Sequence, residues 1–307
     1  MPLSRRNAAA LRVPAALLAS AVLSACATGS GARAGLSPRD VATVNGVDLA
    51  TQGTPTRSPG PSGWIRVEAG GSGPAVPVLL LHGLGVNLTT WRAQFEHLWA
   101  SRRAAAFDFP GNGESDPPSD GDYTIAARAR CISAVADALG YDRFVLVGQS
   151  YGGLVAGAYA AANPGRVAGV VLADGALDPG AWPPGTVEAI ARSMRDDWDA
   201  TIARGFGQPL ALASHEVRAA AFAALAATPR KTVISGFAGM AGHDARATLS
   251  RYPGPRLSIA AEALDEPGAV HHTIPIPVHF MKGVSHLLMM DRPDEFNRIL
   301  DGFLDGL

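Results

Sequence analysis

Phe144-Val145-Leu146-Val147-Gly148-Gln149-Ser150-Tyr151-Gly152-Gly153 is the stretch that decides how this chain folds. Four consecutive apolar residues predict a strand buried on both faces. A glycine-rich turn follows at once, and then an Ala-rich helix that runs to Asn163-Pro164. Gly148-Gln149-Ser150-Tyr151-Gly152 fits G-x-S-x-G, a weak pattern alone that gains weight from the strand before it and the helix after it. A serine on such a turn takes a strained backbone conformation, and the glycines two residues to either side relieve the crowding. The turn lifts the hydroxyl above the sheet, and the helix N-terminus places a positive end beneath a developing oxyanion. Ser150 is the candidate nucleophile, and the Tyr151 N–H is one candidate oxyanion donor.

Working outward, the same alternation recurs. Val41 to Thr51 and Trp64 to Ala69 read as strands joined by a Pro/Gly/Ser-rich loop. Val76 to Leu81, Ala104 to Phe107 and Val167 to Ala173 are further apolar strand runs. Thr124 to Leu139 has helical spacing of its apolar residues, with Gly140 as a C-terminal stop. Leu257 to Ala260 and Val278 to Met281 repeat the strand theme before a terminal helix carrying Phe296, Ile299, Leu300, Phe303 and Leu304 on one face. This order predicts an α/β fold, a mostly parallel sheet with helices on both faces. Residues 177–250 break the pattern with successive helices (Thr186 to Arg204, Ser214 to Ala227, Lys231 to Met240), an all-helical cap over the C-terminal edge of the sheet, where open α/β folds bind ligands. The core is then residues 41–176 and 251–307.

His82-Gly83-Leu84-Gly85 follows the run ending at Leu81 and can aim the Leu84 N–H at the same oxyanion. His82 itself reads as a hydrogen-bonded loop residue, and Trp91 either as a wall of the pocket or as packing between helix and sheet. Gly283-Val284-Ser285-His286 lies between the last strand and the terminal helix, where a triad base must sit to reach the serine hydroxyl. His271, His272 and His279 lie nearby, but their spacing matches no standard zinc signature, so no metal is expected.

With these residues in place, the chain resembles the α/β-hydrolase family over about residues 41–176 and 251–307. Asp108-Phe109-Pro110-Gly111-Asn112-Gly113-Glu114-Ser115 is similar to that family's structural D-x-x-G-x-G-x-S turn. The resemblance implies a Ser–His–acid triad, needing no cofactor, that cleaves a carboxylic ester of a small or medium apolar substrate through an acyl-enzyme. The acid departs from the family pattern. Leu264 stands where the family places Asp, with Asp265 one residue later, so Asp265 is the first choice. Asp174, at the end of the strand after the nucleophile, is the alternative, and Glu262 a distant third. Lactonase, C–C bond hydrolase or acyltransferase chemistry would use the same residues, and a non-enzymatic exported binding protein is the reading from a different class.

The 307 residues are 47% hydrophobic and 17% charged, with 26 basic against 27 acidic residues and a net charge of -1. That balance argues against a nucleic-acid partner bound through its phosphates. Arg5, Arg6 and Arg12 precede an apolar run from Val13 to Leu23, the length of a signal-peptide core and too short to span a bilayer. The run ends in Leu23-Ser24-Ala25-Cys26, which looks like a bacterial lipobox. Residues 1–25 are thus expected to be a lipoprotein signal peptide, Cys26 the lipidated first residue, and residues 26–40 a tether. Membrane contact would be through that anchor alone. Cys131 is then the one remaining thiol, expected to be buried and inert.

Overall fold

A computed structural model describes residues 54–307, apart from residues 61, 62, 176 and 177. The signal peptide, Cys26, the tether and the strand expected over Val41 to Thr51 lie outside the described residues. No described helix is long and apolar enough to cross a membrane.

The chain runs through β1 (Thr54–Gly60), β2 (Gly63–Gly70), β3 (Val78–Leu81), α1 (Arg92–Trp99), β4 (Ala104–Phe107), α2 (Ile125–Ala138), β5 (Phe144–Ser150), α3 (Tyr151–Ala162) and β6 (Val167–Gly175). Helices α4 (Thr186–Asp196), α5 (Trp198–Ile202), α6 (His215–Ala227), α7 (Arg230–Ala238) and α8 (Ala245–Ser250) follow. The chain then completes β7 (Arg256–Ala261), α9 (Val270–Thr273), β8 (Val278–Met281), α10 (Leu288–Asp291) and α11 (Pro293–Leu304). The strands form one eight-stranded sheet in the order β1-β2-β4-β3-β5-β6-β7-β8. Strand β2 is antiparallel to β1 and β4, and the pairs from β4 through β8 are parallel.

The apolar runs explain the layering. Successive strand residues point to opposite faces. Leu79, Leu81, Ala105, Phe107, Phe144 and Leu146 therefore join one core with α2, α3 and α8. Val78, Leu80, Ala104, Ala106, Val145 and Val147 join the other with α1, α10 and α11. Helix α2 starts where the sequence predicts, with the Thr124 hydroxyl accepting from the Ala127 N–H at 3.2 Å.

Two local expectations change. Residues 54–60, read as part of a Pro-rich loop, form β1, because an edge strand tolerates prolines such as Pro55 and Pro59 that have no N–H to give a ladder. The expected helix from Thr186 to Arg204 breaks at Asp197, which leaves the helical region (φ -144, ψ 82) and caps α5 through the Ala200 N–H at 3.1 Å. The cap has its own small core of Ile202, Leu225 and Val233, with Leu84 and Phe206 packed against it. Helix α8 instead lies on the sheet's helical layer, where Leu249 packs against Gly157 of α3.

Trp91 is fully buried, its ring centroid 6.1 Å from that of Phe296. It packs helix on sheet rather than walling a pocket. Trp91→Ala should cost about 3–5 kcal/mol of stability by urea unfolding, as loss of a buried aromatic does. A cost below about 1 kcal/mol would mean that its ring is not part of the core.

Candidate active site

The parallel register brings the ends of β5, β6 and β7 together. Ser150 ends β5 with φ 50 and ψ -118, and α3 begins at the next residue. Both glycines of the motif are fixed by close approach. A methyl group on Gly148 would overlap the Gly152 carbonyl, and one on Gly152 would overlap the carbonyl of Leu81 at the end of β3. The turn closes and packs against β3 only with glycine at these places, and it holds Ser150 in the left-handed half of backbone space.

Opposite Ser150, β6 ends at Gly175, and the residue before it is Asp174 with φ 45. Among the described residues, Ser150 and Asp174 are the two non-glycine residues with positive φ. Such strain concentrates at functional positions. The buried Asp174 carboxylate accepts from the Ala261 N–H at 2.9 Å through Oδ1 and faces His286 Nδ1 at 2.5 Å through Oδ2. A proton on Nδ1 donated to that carboxylate leaves Nε2 as the free base.

Sequence reasoning favoured Asp265 for this place, and the structure puts Asp174 there instead. Strand β7 stops at Ala261, whose N–H is taken by Asp174, and a tight turn over Glu262–Leu264 then carries Asp265 away. The Asp265 Oδ1 meets His271 Nε2 and His272 Nε2, each at 2.8 Å. Glu262 pairs with Lys282 at 3.5 Å and is likewise away from His286. Asp174, the alternative that the sequence offers at the end of the strand after the nucleophile, is thus the carboxylate in contact with His286.

His286 is held from several sides by residues that the sequence reading did not single out. Its N–H donates to the Pro209 carbonyl in the cap at 2.9 Å, and its own carbonyl accepts from Gln149 Nε2 at 3.1 Å. Gln149 adjoins Ser150, so the histidine loop is tied to the elbow itself. The preceding Ser285 is fully buried, and its N–H and hydroxyl both donate to Asp291 Oδ2 at 2.6 Å. Ser150 and His286 form no direct hydrogen bond among the described residues. Catalytic hydrogen bonds are often long until substrate is bound.

The loop that the sequence offers for an oxyanion follows β3. His82 is buried beyond the strand end; its Nδ1 lies 2.7 Å from the Gly83 carbonyl, and its Nε2 accepts from the Phe109 N–H at 2.9 Å. Burial pushes its pKa down to about 3, with the Gly83 hydrogen bond opposing that shift. A neutral ring with both nitrogens engaged is a loop brace. Gly83 in turn lies against Ser150 Cβ and the Gln149 side chain. Leu84, next along, packs against the cap near Gly236, while Tyr151 opens α3, where the first N–H groups have no intrahelical acceptor.

The Asp108 turn is structural. Its carboxylate accepts from the N–H groups of Leu88 (2.8 Å) and Glu114 (2.9 Å), and its carbonyl from the Ser115 hydroxyl at 2.6 Å. Burial raises the Asp108 pKa, and those two N–H donors oppose the shift. Cys131 is buried in the α2 face, and burial pushes its thiol up to about 11, so it holds its proton.

Comparison with known proteins agrees with this geometry. The family model described as alpha/beta hydrolase fold matches residues 76–261. A serine hydrolase-like protein of Danio rerio is 38% identical over 119 residues, 38% of this chain and 36% of that protein. A 2-hydroxymuconate semialdehyde hydrolase of Pseudomonas sp. (strain CF600) is 37% identical over 111 residues, 35% of this chain and 39% of that protein. These matches thus span little more than a third of the relatives' length. Among solved structures, a thermophilic esterase from Thermogutta terrifontis is 26% identical with a TM-score of 0.70, covering 83% of this chain and 99% of its own. The elbow, the sheet order and the matched residues place this chain in the alpha/beta hydrolase family.

Proposed function

We propose that this chain is a serine hydrolase that cleaves a carboxylic ester of a small or medium apolar substrate through an acyl-enzyme. The observation that carries the reading is the Asp174–His286 contact of 2.5 Å beside an elbow serine, with both Ser150 and Asp174 held at positive φ. Ser150 Oγ attacks the carbonyl carbon while His286 Nε2 takes its proton. Asp174 keeps the ring in the right tautomer and stabilises the imidazolium that forms. The N–H groups of Leu84 and Tyr151 receive the oxyanion. The C–O bond then breaks, and the alcohol leaves with the proton from His286. Water, deprotonated by the same histidine, attacks the acyl-enzyme and regenerates Ser150.

The apolar cap residues Leu225 and Phe206, which approach Gly85 of the oxyanion loop, suit an uncharged acyl group. The named activity of the Pseudomonas relative keeps C–C bond cleavage by the same residues as a second reading. A panel of p-nitrophenyl esters, lactones and a ring-cleavage semialdehyde separates the two, with the esters expected to turn over fastest.

A fluorophosphonate should label the wild-type protein, and Ser150→Ala should remove both the label and ester turnover, the latter by several orders of magnitude. Labelling that survives in a folded Ser150→Ala protein would rule out this nucleophile, and an unlabelled wild type would favour a binding protein.

Asp174→Asn should lower kcat by about 10⁴, because the histidine then settles in the wrong tautomer. Asp265→Asn, whose carboxylate faces other histidines, should leave kcat within about threefold, half a kcal/mol or so. The reverse order in steady-state kinetics would restore Asp265 as the acid.

We further propose export as a lipoprotein, on the strength of Leu23-Ser24-Ala25-Cys26 after the basic and apolar segments. Mass spectrometry of the mature protein should find an acylated Cys26 at the N-terminus, and Cys26→Ser should abolish detergent partitioning. A mature N-terminus elsewhere would refute lipidation.

A further inference from the structure

Asp265, which meets two other histidines rather than His286, lies in a cluster of its own. Asp265 Oδ1 stands 2.8 Å from both His271 Nε2 and His272 Nε2, and the ligand atoms of all three lie within 4.8 Å of one another. The two rings are neighbours on the single turn of α9, with centroids 4.5 Å apart and planes tilted by 52°. Adjacent residues of a helix normally diverge by about 100°, yet here both Nε2 atoms turn to one oxygen.

The geometry points to a divalent transition-metal site formed by Asp265, His271 and His272. Two imidazole nitrogens and one carboxylate oxygen are the donor set favoured by zinc and its neighbours rather than by magnesium or calcium. Four-coordinate zinc with bonds of about 2.0–2.1 Å needs its ligand atoms about 3.3 Å apart, between the 2.8 Å contacts and the 4.8 Å limit found here. Binding requires each ring to carry its proton on Nδ1, that of His271 toward the Ser258 hydroxyl, so that the Nε2 lone pairs turn from Oδ1 to the metal.

The surroundings are those of a supported ligand. The His271 side chain is 7% exposed, its Nδ1 is 3.4 Å from the Ser258 hydroxyl, and its ring meets Phe280 edge-on at 5.8 Å. A partner on Nδ1 fixes the ring and leaves Nε2 as the outward donor, as outer contacts do for metal-bound histidines. His272 and Asp265 are 42% and 26% exposed, which gives an ion a way in and leaves positions for water. The expectation from spacing alone, that the histidines bind no metal, counted His279 and overlooked Asp265.

A metal here would clip the start of the β7–β8 connection to α9. That connection, residues 262–277, begins directly after Ala261, the residue whose N–H holds Asp174. The site is therefore structural, and its case is independent of the chemistry at Ser150.

The test uses the mature chain without an affinity tag, stripped with a chelator and titrated with zinc sulfate in a calorimeter. One zinc per chain should bind with Kd of about 1 µM or tighter. Tm should rise by about 3 °C or more at saturating zinc, and magnesium sulfate should do neither. His272→Ala and Asp265→Ala, both at partly exposed side chains, should each weaken zinc binding roughly tenfold or more and remove the Tm shift. Absence of equimolar binding, unchanged affinity in both variants, or equal binding of magnesium would overturn the site.

Discussion

A buried carboxylate at the end of β6 organises this edge of the sheet. Asp174 accepts the Ala261 N–H with one oxygen and faces His286 Nδ1 with the other, so one side chain joins the ends of β6 and β7 to the loop after β8. Removing a carboxylate from water is costly, and holding a non-glycine residue at φ 45 adds roughly 1–3 kcal/mol. Both penalties are offset only while the two charge-assisted contacts are made. The carboxylate thus enforces the relative placement of three chain segments, and the histidine inherits that order.

The cap shares in this order. The Pro209 carbonyl takes the His286 N–H, and Leu84, on the oxyanion loop, packs beneath the cap's own core. Movement of the cap would therefore disturb His286 through its backbone and the loop after β3 through Leu84. The clamp of Ser285 on Asp291 and the Gln149 bond to the His286 carbonyl resist such movement from the core side. The site is built on the sheet and braced by the cap, so its side chains are held by both layers.

What the sequence made legible follows from burial. Strands β3 to β6 are covered on both faces, so their apolar runs were unmistakable, and the elbow's glycines are demanded by contacts within the turn and with the end of β3. Strand β1 was missed because its prolines are turn formers by composition, and only its place at the edge makes them acceptable. The break at Asp197 is a local capping choice inside a stretch with continuous helical spacing. Asp174 was weighed but ranked second. Position along the chain favours the carboxylate after β7, whereas reach is decided by where a tight turn points a side chain. A positive φ at an aspartate leaves no mark in the sequence, and neither does the backbone N–H that fixes its rotamer.

The contact of His286 with Asp174 rather than Asp265 bears on the β7–β8 connection. When the triad acid follows β7, the β7–β8 connection must present it to the histidine, and its length and turn are bound by that duty. Here Asp174 supplies the contact from β6, and β7 contributes only the Ala261 N–H. The connection is then free to be short, with one turn of helix in place of a longer crossover helix, and still to close a parallel pair. Its Asp265 does not meet His286, and it gathers His271 and His272 at the start of that short helix instead. The same three side chains would be incompatible with catalysis if Asp265 had to reach the triad, because one carboxylate cannot orient His286 and hold the histidine pair at once.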